Sequence, residues 1–191
     1  MNILLIYPQP DVVKPSRFGF SYELLLLATI LSKYHNIVIH DYSCELYLEE
    51  SFKHELDENE YDLVIVECDS FALKRSQNLK HAREILSLIK GTISSIAFGH
   101  YCCISKRDFV PADFTVKINN LNLILERINY ICRNSVVPLI FKYDDLPYIE
   151  RNLLLKIDYF ERYKKIPYFR LQRVVRILAS FVNEGVGKRD M

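Results

Sequence analysis

Five short apolar runs, four of them followed by a segment with apolar residues at helical spacing, restrict this 191-residue chain to few architectures. Asn2–Tyr7 (NILLIY) is apolar almost throughout, which suits a strand covered on both faces, as in a parallel sheet. Tyr22–Tyr34 carries Leu24, Leu27, Ala28 and Leu31 on one helical face. Asn36–Asp41 (NIVIHD) reads as a second strand and Glu45–Leu56 as an acidic helix. Asp62–Val66 (DLVIV) is a third strand. It precedes a helix over Gln77–Lys90 with Leu79, Ala82, Ile85, Leu86 and Ile89 inward and Gly91 as its stop. Ser95–Phe98 and Asp113–Ile118 complete the strands, and Asn119 or Asn120 caps a helix with Leu121, Ile124, Leu125, Ile128 and Cys132 on one side.

Strands alternating with helices of this length imply right-handed βαβ units and a doubly wound α/β fold. Five strands predict the flavodoxin-like (Rossmann-like) parallel order 2-1-3-4-5. This pattern occupies residues 1–134, and residues 135–191 read as a helical or extended linker. Within the linker, Val136–Phe141 is an added strand or extended segment, Asp144–Pro147 a turn, and Leu153–Tyr163 a short helix ending before Pro167.

Composition narrows the function classes. A formal net charge of +1 argues against a general nucleic-acid binder. Acidic residues dominate from Glu45 to Glu67 and basic ones from Arg151 to Arg176, which reads as two solvated faces or as an electrostatic match to a partner. No apolar run approaches the roughly 18 residues that cross a bilayer, and the N-terminus lacks a signal-peptide layout. Cysteines at 44, 68, 102, 103 and 132 form no C-x2-C pair, so a reduced, cytoplasmic setting is expected.

Ligands of open parallel sheets bind beyond the carboxyl ends of the strands, where strand order reverses. Those positions are Pro8–Gly19, Asp41–Ser43, Glu67–Phe71, Gly99–Cys103 and Asn119–Asn120. The blocks NILLIYPQP, PSRFGFSYELLLLATIL, NIVIHDYS, DLVIVECDS and IAFGHY, in this order, resemble the cobalamin-binding domain that precedes the barrel of class B radical SAM enzymes. The resemblance spans about residues 1–180. It implies that Ser16, Phe18 and Gly19 flank the corrin or its tail, that Cys68, Asp69 and Ser70 meet corrin amides, and that Gly99, His100 and Asn119 line the tail pocket. The chain departs from relatives in having Lys117–Asn120 where a glycine-rich loop is common, and in lacking the D-x-H-x2-G cobalt-ligand motif. No C-x3-C-x2-C triad follows Ser180, so neither a 4Fe–4S cluster nor an S-adenosylmethionine site is expected in this chain. The implied protein is a truncated or split methyltransferase-type radical SAM protein, non-catalytic by itself, that presents cobalamin to a separate barrel.

Plainer readings stand beside these. His100 also suits an ordinary loop histidine, Cys102–Cys103 lacks the further ligands of a zinc site, and Asp144–Asp145 suits a turn. Cys68 beside Asp69 is a poor nucleophile, because a neighbouring carboxylate disfavours the thiolate. No P-loop, G-x-G-x-x-G or Ser/His/Asp set is present. Leu171, Val174, Val175 and Leu178, with Arg170, Arg173 and Arg176, form a basic amphipathic pattern suited to an acidic protein partner, a membrane surface or self-association. The alternative function is therefore an interaction module that no longer binds cofactor and docks through this tail. A third is a site for another small ligand, a nucleotide or flavin, at the same crevice.

Overall fold

The computed structural model describes residues 1–9, 21–43, 45–68, 78–99, 110–117, 120–133, 136–140 and 145–154. The chain divides into two compact units, Met1–Tyr159 and Phe160–Met191, and every described residue belongs to the first. The expected amphipathic tail therefore lies outside the described residues.

Five strands form the sheet: β1 (Asn2–Tyr7), β2 (Asn36–Asp41), β3 (Leu63–Glu67), β4 (Ser94–Gly99) and β5 (Phe114–Lys117). All neighbours pair in parallel, in the order β2-β1-β3-β4-β5. This is the doubly wound, flavodoxin-like α/β fold that the strand and helix pattern predicts. Among the described residues four α-helices accompany the sheet: α1 (Tyr22–Leu31), α2 (Glu49–Glu58), α3 (Leu79–Ile89) and α4 (Leu121–Ile131).

The strand period of two assigns the faces. Ile3, Leu5 and Tyr7 of β1 join Leu63, Ile65, Ile96 and Phe98 against α1 and α4. Leu4 and Ile6 join Val64, Val66 and Ala97 against Phe52 of α2 and Leu79, Ala82, Ile85, Leu86 and Ile89 of α3. Every inward residue expected of α3 is buried, and Gly91 takes φ +81, the left-handed conformation of a helix stop. Asn120 caps α4 by accepting from Leu123 N–H at 3.1 Å.

Two elements differ from the sequence expectation for local reasons. Helix α2 begins at Glu49 rather than Glu45, because the Glu45 carboxylate is held by His40 at 3.1 Å and by the Asp41 N–H at 3.2 Å. Strand β5 begins at Phe114, because Asp113 serves as a clip instead, accepting from the N–H and hydroxyl of Ser95 at 2.8 and 3.0 Å.

Past α4 the chain does not leave the core. Residues 136–140 form neither helix nor strand, yet Val137 is fully buried. The amide of Asn129 holds both the N–H and C=O of Val137, at 2.7 and 2.8 Å, and that of Asn122 holds both groups of Ile140, at 2.8 and 2.7 Å. Seven helical residues advance about 10 Å, and three extended residues advance about the same distance. Two asparagines two turns apart thus match two residues of an extended strap running antiparallel to α4. Farther on, Glu150 donates its N–H to Thr29 and accepts from Ser32, bringing Leu146, Ile149 and Leu153 onto the α1 face.

Candidate functional site

The crevice of such a sheet lies between the ends of β1 and β3, where chain order reverses. The structure describes its floor: Tyr7–Gln9 after β1, Tyr42 and Ser43 after β2, Cys68 after β3 and Gly99 at the end of β4. Of the expected contact residues, Ser16, Phe18, Gly19, Asp69, Ser70, His100 and Asn119 lie outside the described residues, as do Cys102, Cys103 and Asp144. Cys68 and Gly99 are brought together, one step beyond the Glu67–Phe98 register pair of β3 and β4. Cys68 is fully buried in the α2/α3 core, and its N–H is bonded to Phe98 O at 2.8 Å. Its thiol is 3.8 Å from Val66 O, an enclosed core sulfur.

Sequence reasoning missed the row of rings beside this floor. Successive same-face positions on β2 and its extension place His40 and Tyr42 toward α2, stacked at 5.4 Å between centroids and 4° between planes. Tyr42 meets Tyr47 and Phe52 edge-on, and Tyr47 meets His81 at 4.2 Å. His81 sits in the first turn of α3, off the apolar stripe that predicted the helix, and is 6% exposed. Its Nδ1 accepts the Gln9 backbone N–H at 2.6 Å. An accepting Nδ1 is unprotonated, so the neutral ring carries its hydrogen on Nε2. Burial pushes its pKa down to about 4.

His40 is the opposite case. Burial alone would depress it, but hydrogen bonds and charge from Glu45 and Glu55, at 3.1 and 2.8 Å, hold it up at about 9. Burial would raise Glu55, yet His40 and the Tyr61 hydroxyl, 2.8 Å away, hold its carboxyl below the usual value. The result is an imidazolium clasp closing α2 on the edge strand.

At the end of β3, Asn78 just before α3 is fully buried and donates from Nδ2 to Glu67 O at 3.1 Å. Its Oδ1, the His81 Nε2 and the Tyr47 hydroxyl have no hydrogen-bond partner among the described residues. No group of three His, Cys, Asp or Glu among the described residues is placed to hold a metal ion.

Fold and strand-end floor together define a flavodoxin-like α/β domain with its crevice between β1 and β3. No protein-family model matches the chain, and no curated protein matches it. No helix among the described residues is long and apolar enough to cross a membrane.

Proposed function

We propose that this chain is a cobalamin-binding module that holds and orients the cofactor at its strand-end crevice. The observation that supports it most is the 2-1-3-4-5 parallel order, which puts Gly99 at the crevice end of β4. The resembling cobalamin domains offer their ligand the same edge. A glycine ending β4 lets a broad, flat ring approach the backbone without meeting a side chain. Asn78 Oδ1 suits the amide rim of a corrin, because a fully buried acceptor with no partner among the described residues gains when a ligand brings a donor. When bound, cobalamin would supply a methyl-carrying cobalt. The chain's own part is to bind and orient the ring.

The test is direct. Full-length protein is mixed with hydroxocobalamin at micromolar concentration, desalted, and its absorption spectrum recorded. The expected result is corrin bands co-eluting in about equimolar amount. Loss of those bands on desalting refutes the cofactor reading and puts the interaction module ahead of it.

A further inference from the structure

We propose that His81 is a positioning residue: its Nδ1 latches the Gln9 N–H and so fixes the backbone where it leaves β1. Strand β1 lies at the reversal of chain order, so its exit at Tyr7–Gln9, ahead of the loop to α1, borders any ligand crevice in this sheet. Gln9 is the last described residue before that loop, and a part-buried backbone N–H requires an acceptor. Here the acceptor is a side chain 72 positions away, on α3.

The ring itself is locked. Tyr47 meets it edge-on at 4.2 Å and Tyr42 at 5.5 Å, so Nδ1 cannot swing away from Gln9 without disturbing both. Packing does not account for a histidine here. Phenylalanine would keep an aromatic ring there, somewhat larger, and would remove the buried Nε2, which has no partner among the described residues. What the imidazole adds is one acceptor at one place. The consequence for ligand binding rests on the cobalamin reading above, since Tyr7–Gln9 belong to the crevice floor. The latch itself does not.

Two substitutions in the full chain separate latch from packing. His81→Phe keeps a ring and loses the acceptor. His81→Asn loses the ring but places its Oδ1 close to where Nδ1 lies. Hydrogen–deuterium exchange at the Gln9 amide reads the latch. We expect exchange about tenfold faster in His81→Phe, the worth of one hydrogen bond, with thermal stability unchanged or raised. His81→Asn should keep Gln9 protected although it melts earlier. The reverse order, with Gln9 protected in His81→Phe and released in His81→Asn, would overturn the proposal, as would equal exchange in all three proteins.

A pH series on the wild type gives a second readout. Among the described residues the titratable side chains packed on the ring are Tyr42 and Tyr47, and burial holds both phenols protonated far above neutral pH. Of these three groups, the imidazole alone changes charge between pH 7 and 4. Gln9 exchange, corrected for its intrinsic rate, should therefore rise as the pH falls, and a flat profile counts against the latch. If the wild type retains hydroxocobalamin, His81→Phe should bind it about tenfold more weakly. If the wild type retains none, the cofactor reading has failed while the exchange order still decides the latch.

Discussion

His40→Leu will destabilise the protein by about 2 kcal/mol at pH 6, and the loss will shrink to well under half by pH 10. Leucine removes the cation and leaves Glu45 and Glu55 facing its former place. Breaking a buried ion pair costs roughly 3–5 kcal/mol, and an exposed one costs under about 1. The three side chains are 22–31% exposed, which sets the expectation between those limits. The pH sign follows from the raised pKa. In the folded protein His40 titrates at about 9, against an ordinary value of 6.5. Its contribution is fully present below 6.5 and is lost as the pH rises through 9. His81, at about 4, contributes in the opposite sense: its stability is present above 6.5 and lost as the pH falls toward 4. Urea unfolding across pH 4–10 should therefore show a maximum near neutrality. His40→Leu should flatten the alkaline limb and His81→Phe should flatten much of the acid limb. A His40→Leu deficit that is constant with pH would mean that the ring's stack on Tyr42, not its charge, is what α2 depends on.

The parallel sheet was legible because its signal is local. Ile3–Tyr7 and Leu63–Glu67 are buried on both faces, and continuous apolar runs such as ILLIY and LVIV have few other uses. The stripe of α3 was legible for the same reason. In α1 the pattern understated the burial: Leu25, Leu26 and Ile30 are buried along with Leu24, Leu27, Ala28 and Leu31. Leu26 and Ile30 share a cluster with Leu146, Ile149 and Leu153, more than a hundred residues away, so the four-leucine run gave no clue to that second neighbour. The start of α2 was displaced by a side chain, since Glu45 is drawn to His40 and leaves Leu46 and Leu48 exposed.

The candidate site was less legible. Cys68 and Gly99 could be placed because strand ends follow from strand positions. His81 could not, because its role depends on a contact 72 residues away that no periodicity encodes. Nor could the Tyr42–Tyr47 row, whose members are spaced for neither helix nor strand. What a resemblance adds is an expectation of which ligand belongs at the edge. It carries no information about which side chains hold the edge in shape. Here those are a charged histidine on β2 and a neutral one on α3, with opposite pKa shifts at the two ends of a single aromatic row.

A chain ending at Asn134 will fail to unfold cooperatively at 25 °C, whereas one ending at Tyr159 will do so normally. The alternating pattern stops with α4, but the compact unit runs from Met1 to Tyr159. Removing the strap strips Asn122 and Asn129 of four hydrogen bonds and uncovers the site of the fully buried Val137. Each hydrogen bond contributes about 1 kcal/mol net, and burying a valine contributes about 1.5–3 kcal/mol. A domain of this size has only about 5–15 kcal/mol in all. Losing Leu146, Ile149 and Leu153 from the α1 face adds to the deficit. Far-UV circular dichroism melts and dye binding to exposed apolar surface measure the outcome. Two melts within about 1 kcal/mol of each other would show that the strap is dispensable and that α1 and α4 are stable without it. Asn129→Ala in the full chain isolates the clasp from the apolar cover. It should cost about 2 kcal/mol, because it leaves the Val137 N–H and C=O buried without partners. Asn129→Asp should recover only part of that, since a carboxylate accepts from the N–H and repels the carbonyl. That ordering, Asn above Asp above Ala, is the signature of an amide holding both polar groups of one residue. A helix merely shielding the strap from water would rank the three by size and hydration instead.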